Sequence, residues 1–518
     1  MAISEFEKQR QANIARNKEL LRQLNLTQLA NEFGKSESGN SSPKPKPKPK
    51  PKTRKPTVKI EKEAPLPLRR SRRIAGVNLD DSEAVKVLDA LDEEKIKQEK
   101  LKELESVRLS DDLKLSEVIS DTKMLEKLGK SFSMGDFFEE IKNKPLAQKS
   151  DEQARDELDK LELYESFHPN QIMLTNSRMT TIEFHPSNNR KLVFGGDTNG
   201  MLGVWTVDDD SEDEPAIIRF TPHRKNIARI CVRPEVLEEV VSSSYDGSIR
   251  TMDLTKNISK CIVEYDDQWG DASGISDFKF IDKNIGYLTT LQGEFSIFDL
   301  RVSDPVRRDA CVANYRLHDK KIGYFSVCPT DDKLIASASL DRTMRIWDLR
   351  NIHDQVWSGY EDVKGPQCVA AYGSRLSVSC TDWNRSGDIV CNGYDDSIRI
   401  FNMNKGDGIM NYLSTLAKPE TGDINENLTP DVTIKHNCQS GRWVSILKSR
   451  WHERPRDGVE KFVIANMKKS LDVYSREGTM LAHINDERMT SVPAVCCFHP
   501  TENWIVGGNS SGKTFLLS

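Results

Sequence analysis

The sequence of 518 residues lacks the features of several protein classes. It has no apolar run long enough to cross a bilayer, and we see no signal peptide. Its ten cysteines all lie between positions 231 and 497, and none of them has a paired metal-ligand spacing. We therefore expect reduced cysteines in the interior of a cytosolic or nuclear protein, with no metal and no membrane association.

Catalytic motifs are also missing, with one apparent exception. Residues 507–514 satisfy the phosphate-binding loop pattern GxxxxGK[ST]. A working loop of this kind needs a following helix whose N-terminal amides hold the phosphates, whereas this stretch falls in the turn of a repeated β unit. We therefore expect no nucleotide cofactor and no enzymatic activity.

What the sequence has instead is one pattern repeated seven times between Thr181 and Leu517. The pattern is an apolar strand, a turn built on Asp and a second strand that ends in a large apolar residue. Its clearest copies cover residues 240–253, 335–348 and 389–401, and weaker copies end at Trp205, Phe298, Tyr474 and Leu517. A period of about 40–45 residues is typical of the four-stranded blades of WD-repeat propellers. The sequence therefore predicts an all-β, seven-bladed WD-repeat β-propeller over residues 170–518.

The last blade of this propeller must borrow a strand. The sequence ends just after the third strand of the seventh copy, so we expect the fourth, outer strand from residues 171–175, ahead of the first copy. Truncation near residue 175 should then open the ring and leave a bare sheet edge.

The N-terminal third divides into three predicted segments. Residues 1–34 have the spacing of an amphipathic helix, and residues 35–78 predict a disordered arm of alternating Pro and Lys followed by an Arg-rich stretch. Residues 41–73 hold thirteen Lys or Arg against two Glu, a net charge of +11, and since the whole chain is at −5 the remainder carries −16. Such a run indicates a nuclear import signal or direct contact with nucleic acid. Residues 79–165 predict a charged helical linker, partly disordered.

Loop geometry indicates where the ring would bind a ligand. In a propeller, the loop that leads into each innermost strand, here called the leading loop, lies on the same face as the turn between the second and third strands. Six of the seven leading loops carry at least one cation. The composition of the chain would by itself place about five basic residues in these loops. The interleaved tryptophans suit a phosphate backbone and an unstacked base. The residues of these loops are Arg178; Arg224 and Lys225; Trp269; Lys320 and Lys321; Arg375; Arg442 and Trp443; and Arg488, with Lys468 and Lys469 in the turn of blade six.

Residues in and around blade four resemble a known family. Residues 317–322 and 336–350 resemble the fourth blade of the small subunit of the UV-damaged-DNA-binding complex, and the match continues through residues 179–186. Residues 437–443 (Asn-Cys-Gln-Ser-Gly-Arg-Trp) are more similar to WD-repeat protein 76 and its fungal relatives, the DNA damage-binding "changed mutation rate" proteins. The resemblance covers the propeller and much of the N-terminal region.

The resemblance implies a DNA-binding role for particular residues. The family's phosphate contacts fall at or near Arg178, Lys320 and Lys321. In the damage-binding subunit, a hairpin in the sixth leading loop wedges into the lesion through a Phe-Gln-His tip. The matching stretch here, around Gln439, lacks the Phe, so the wedge is not carried over directly and Trp443 is the alternative stacking residue.

A second motif implies a protein partner on the opposite face. Residues 347–350 (Trp-Asp-Leu-Arg) match the motif by which such rings dock to the adaptor of a cullin–RING ubiquitin ligase. Asp348 and Arg350 would make that contact, and Arg301 belongs to an imperfect second copy. The alternative is that Asp348 and Arg350 only fasten a corner of the blade.

Three functions are consistent with these observations. The first, which we favour, is a nuclear, monomeric ring that binds double- and single-stranded DNA, intact or damaged, with little sequence preference; a preference for UV damage is left open. The second is a scaffold that binds histones or the replication clamp, for which residues 131–138 offer a clamp motif without its initial Gln. The third is a substrate receptor of a cullin–RING ubiquitin ligase.

Overall fold

The computed structural model describes the ring and parts of the preceding region. The described residues are 108–109, 112–119, 149–210, 213–266, 272–302, 310–355, 357–360, 363–405, 408–416, 427–438, 440–441 and 444–518. The predicted helix at 1–34, the predicted arm at 35–78 and the clamp-like motif at 131–138 lie outside them. In the described part, no helix is long and apolar enough to span a membrane. Nor do its His, Cys, Asp and Glu side chains form a group of three able to hold a metal ion.

Seven antiparallel sheets form the blades of a propeller, as predicted. Blades one to three comprise Met179–Phe184, Leu192–Asp197, Leu202–Thr206 and Ile217–Phe220; Ile227–Val232, Glu239–Ser244, Ser248–Asp253 and Ile258–Glu264; and Ile275–Phe280, Ile285–Thr290, Glu294–Asp299 and Cys311–Arg316. Blades four and five comprise Ile322–Cys328, Asp331–Ser339, Thr343–Asp354 and Lys364–Gly373; and Val378–Trp383, Asp388–Gly393, Ser397–Asn402 and Val432–Lys435. Blades six and seven comprise Arg450–Trp451, Lys461–Asn466, Ser470–Ser475 and Met480–Ile484; and Val495–Phe498, Ile505–Gly508 and Thr514–Leu517.

The hydrophobic core lies between the blades. Side chains of blade one, such as Phe194, pack against side chains of blade two, such as Ile230. Similar clusters join blades two and three, three and four, and four and five. Blades five to seven share a further cluster, and the last cluster joins blade seven to blade one. Each blade therefore needs its neighbours to bury its faces.

Residues ahead of blade one close the ring, as predicted for residues 171–175. Met173 forms an antiparallel bridge with Lys513, and Leu163 forms another with Leu517. The pairing consists of isolated bridges instead of a continuous strand. Since the two bridge positions are ten residues apart in the closing segment and four apart in its partner, the segment loops out between them.

The phosphate-loop pattern at residues 507–514 is the predicted turn of blade seven. Gly508 pairs with Thr514, and the backbone N–H of Asn509 donates to the Lys513 carbonyl (3.0 Å). Gly512 has a φ of +76°, and a Cβ there would lie 1.8 Å from the carbonyl oxygen of Thr175. The glycine is therefore required by the turn and by the closing segment that crosses it.

Parts of the predicted linker add to the outside of the ring. Leu113–Lys114 form a fifth strand on blade two, and a one-turn helix follows at Leu115–Val118. We predicted a charged helical linker, partly disordered, between residues 79 and 165, so this strand was missed. A second helix, Asp151–Leu158, starts at a capping box on Ser150 and packs onto the cluster of blades five to seven.

Two short helices lie in connections between strands. Val207–Asp209 is a 3₁₀ turn after the third strand of blade one. Ile409–Thr415 is an α-helix between the last two strands of blade five, and it buries Ile409 and Leu413 against the cluster of blades four and five.

Candidate nucleic-acid interface

The leading loop and the second-to-third-strand turn of a blade lie side by side, as the loop geometry predicted. In five blades a backbone hydrogen bond of 2.9–3.1 Å joins them. These bonds run from Thr198 to Arg178, from Tyr245 to Asn226, from Leu291 to Gly274, from Leu340 to Lys321 and from Tyr394 to Ser377. Both kinds of loop therefore share one face of the ring, which we call the upper face.

A buried polar network fixes the upper face at blade four. The His318 imidazole hydrogen-bonds with Ser337 Oγ (2.7 Å) and with the Asp341 carboxylate (2.7 Å), and the Trp347 indole N–H donates to Ser337 Oγ (2.8 Å). Burial lowers the pKa of His318, so its ring is neutral near pH 7. Because this network ends at the leading loop, it sets the backbone position of the lysines that follow.

Lys320 and Lys321 occupy different surroundings. Lys320 is exposed, whereas Lys321 is half-buried. The Lys321 ammonium donates to the Tyr245 hydroxyl of blade two (2.6 Å) and lies 4.8 Å from the centroid of that ring. The contact orients the lysine, and no carboxylate among the described residues forms an ion pair with it.

Four further predicted cations are exposed on the upper face. They are Arg224 and Lys225 in the leading loop of blade two, and Lys468 and Lys469 in the turn of blade six. Within the described part of the chain, none of the four has a carboxylate within ion-pair distance. Arg488 differs from them, because its guanidinium lies 2.8 Å from Asp486 and 3.9 Å from Glu165. The seventh leading loop therefore adds no net positive charge.

The upper face opens into a cavity of about 390 Å³ at the mouth of the central channel. Arg178 and Lys321, both predicted, line it together with Tyr394 and Lys448, which were missed. Tyr394 and Tyr245 take the same place in the repeat, directly before the Asp of the turn, so an alignment of the blades would have found them. Lys448 carries no such signal, because it lies in the non-repeating segment that leads into blade six.

That segment is fixed to both sides of the cavity. The Asn392 amide of blade five donates to the Leu447 carbonyl (2.9 Å), and the Ser445 hydroxyl donates to the Met179 carbonyl of blade one (2.5 Å). Three predicted residues of the segment, Gln439, Arg442 and Trp443, lie outside the described residues.

The sequence of this chain is similar to those of several known proteins. Residues 309–348 match the family described as WD domain, G-beta repeat. DNA damage-binding protein CMR1 of Scheffersomyces stipitis is 44% identical over 99% of this chain and 99% of its own length. The proteins of the same name from Candida albicans and Meyerozyma guilliermondii are 39% and 40% identical, each over 100% of both chains. The chain belongs to the CMR1 family.

The likeness to CMR1 proteins is not confined to WD repeats. Because the matches run over essentially the whole chain, they include the region ahead of blade one as well as the ring. The family resemblance predicted from the residues of blades four and six is thereby confirmed.

On the opposite face of this CMR1-family ring, the predicted adaptor-binding residues form ion pairs. Arg350 Nε lies 2.7 Å from Asp348 Oδ1, and its Nη1 lies 3.1 Å from Asp331 Oδ2. Arg301 Nη2 lies 2.7 Å from Asp299 Oδ2. These pairs support the alternative that the motif fastens blade corners. Since the side chain of Arg350 is 44% exposed and that of Arg301 is 60% exposed, docking stays a prediction.

Proposed function

We propose that the ring binds DNA through its upper face, as a non-catalytic nuclear protein of the response to DNA damage. The observation that carries the proposal is the set of exposed cations on that face that have no carboxylate partner among the described residues. They are Arg224, Lys225, Lys320, Lys468 and Lys469. The names of the relatives, DNA damage-binding proteins, support the same class of ligand.

The chemistry of these side chains favours the DNA backbone over base edges. Lysine ammonium groups act as point charges, and each phosphate that they neutralise releases condensed counterions. Contacts of this kind position a protein on DNA and carry little sequence information. We therefore expect binding with little sequence preference, and stacking by Tyr394 or by the predicted Trp443 as the source of a preference for damaged DNA with unstacked bases.

A titration of the full chain with matched DNA probes tests the proposal. Intact duplex, UV-irradiated duplex and single strands of the same sequence are compared by fluorescence anisotropy at several salt concentrations. We expect log Kd to rise linearly with log salt, and the irradiated duplex to bind more tightly than the intact one. Salt-independent binding would count against the phosphate contacts, and equal affinity for the two duplexes would remove the damage preference.

Docking to the adaptor of a cullin–RING ligase is a second candidate function. The half-exposed guanidinium of Arg350 on the opposite face favours it. Because DNA and adaptor would use opposite faces, the two functions are compatible. Arg350→Ala should then abolish adaptor capture and leave DNA affinity unchanged. Histones and the replication clamp stay predicted partners.

A further inference from the structure

The lining of the cavity at the centre of the upper face is basic and rich in hydroxyl groups. Among the described residues that line it, three carry a positive charge and none carries a carboxylate. The cations are Arg178, Lys321 and Lys448, and the hydroxyl groups belong to Thr180, Ser379, Tyr394, Ser440 and Ser445. The three cations match the negative charge of a polyanion, whose oxygen atoms accept charge-assisted hydrogen bonds.

Lys448 is the member of this set that the fold does not account for. Its ammonium lies 4.9 Å from the centroid of the Tyr324 ring. It forms no hydrogen bond or ion pair with the described residues. Burial lowers the pKa of Lys448, which means that its charged form is less stable here than in water.

Two arginines deeper in the channel differ from Lys448 because they have carboxylate partners. Arg229 lies 3.3 Å from Asp277, and Arg450 lies 2.7 Å from Glu183. Each of these arginines is therefore compensated within the protein, as buried charges usually are. Lys448 lies above them, on the boundary between the channel and the mouth cavity, and lines both.

We propose that the mouth cavity binds a compact ligand that carries two or more phosphate groups. Such an anion compensates Lys448 and reaches Arg178 and Lys321 with its outer oxygens. The volume of about 390 Å³ lies within the range of small-molecule sites and excludes a DNA duplex. The site shares Arg178, Lys321 and Tyr394 with the proposed DNA-binding face and adds Lys448, so its test uses a ligand without DNA.

Calorimetric titration of the full chain with sodium tripolyphosphate tests this site. We expect saturable binding at one site per chain that sodium sulfate at equal ionic strength does not reproduce. Lys448→Met, which keeps the aliphatic volume and removes the charge, should weaken binding roughly tenfold or more, as expected for loss of one charge-assisted contact. Lys283→Met, at an exposed lysine on the opposite face, is the matched control and should bind as the wild type does.

Equal affinity of Lys448→Met and wild type, or equal effects of sulfate and tripolyphosphate, would overturn the proposal. Thermal unfolding shows whether Lys448→Met is folded, and if it is not, Lys321→Met replaces it with the same expected loss.

A second arm identifies the source of the phosphate by comparing single strands with a 5′-triphosphate and a 5′-hydroxyl end. A preference for the phosphorylated end that Lys448→Met abolishes assigns the site to nucleic-acid ends, and equal affinity for both ends assigns it to a free ligand.

Discussion

Neighbouring lysines on one loop contribute to a binding surface in different ways. Lys320 extends into solvent and adapts to a phosphate at the cost of side-chain entropy. Lys321 is already oriented by the Tyr245 hydroxyl, so less freedom is lost when it binds. Both follow the buried His318 network, which fixes their backbone independently of their charge. Charge reversal here should therefore change the electrostatics of the upper face and leave the fold intact.

The double variant Lys320→Glu/Lys321→Glu should bind duplex DNA at least about tenfold more weakly than the wild type. Its log–log salt dependence should be shallower by about 2, since two phosphate contacts are lost. The control is Lys283→Glu/Lys333→Glu, which reverses one charge in the first-to-second-strand turn of blade three and one near the start of the second strand of blade four, both on the opposite face. Equal losses in both variants would point to net charge and not to a site.

Buried histidines predict the response of the ring to acid. Burial lowers the pKa of His185 and of His499 to about 4, against about 6.5 in an unfolded chain. Below about pH 6.5 the unfolded state therefore binds protons that the folded state does not, and the free energy of unfolding should fall as pH drops toward 4. Urea unfolding across this range measures the slope. His499→Gln should flatten it, whereas the exposed His168→Gln should leave it unchanged.

At the scale of the elements, most strands follow from the sequence because each repeat supplies its own turn. In blade four the Asp341 carboxylate accepts the Thr343 N–H (2.9 Å), which is the local interaction that the repeated Asp predicts. The strand at Leu113–Lys114 has no such signal, since two residues show no period and their pairing partner lies in blade two.

The candidate site also contains residues that the sequence could predict and residues that it could not. The cations of the leading loops were predictable, because the order of strands alone decides which loops share a face. The pairing of Arg488 with Asp486 and the position of Lys448 were not, because both depend on side-chain contacts that no repeat encodes.

Leu115 tests whether the added strand and its helix belong to the folded ring. Its side chain is fully buried in the cluster of blades one and two. Leu115→Ala should therefore lower the free energy of unfolding by about 2–5 kcal/mol, as measured by urea denaturation. Val118→Ala, three residues on and 49% exposed, should have little effect. A neutral Leu115→Ala variant would mean that this segment unfolds separately from the ring.

For the whole molecule, charge is distributed unevenly along the chain. Residues 41–73 of the predicted arm carry +11, whereas the remainder of the chain carries −16. Deleting residues 41–73 should weaken DNA binding and flatten its salt dependence, while any preference for damaged DNA persists in the ring. Anisotropy titrations of the full and deleted chains measure both quantities. Loss of the preference at unchanged affinity would contradict this division between arm and ring.

Closure of the ring concerns every blade at once. The closing segment buries Ile172 and Leu174 almost completely in the cluster that joins blades seven and one. Backbone hydrogen bonds also join it to blade seven, including those from Leu174 to Gly512 and from Thr514 to Ile172. Each buried side chain contributes about 1.5–3 kcal/mol to the free energy of unfolding, and each hydrogen bond contributes about 0.5–1.5 kcal/mol. Together these contributions are comparable to the free energy of unfolding of a whole domain, which is about 5–15 kcal/mol.

A chain that begins at Asn176 should therefore lose the closed ring, whereas one that begins at Lys149 should keep it. Without residues 162–175, the strand Thr514–Leu517 becomes an unpaired edge, which is a template for association with other chains. We expect the shorter chain to elute as aggregates in size-exclusion chromatography and to lack a cooperative thermal transition, and the longer one to elute as a monomer and melt sharply. If both chains melt alike, the bridges at Met173 and Leu163 do not hold the ring together, and the contacts between neighbouring blades suffice.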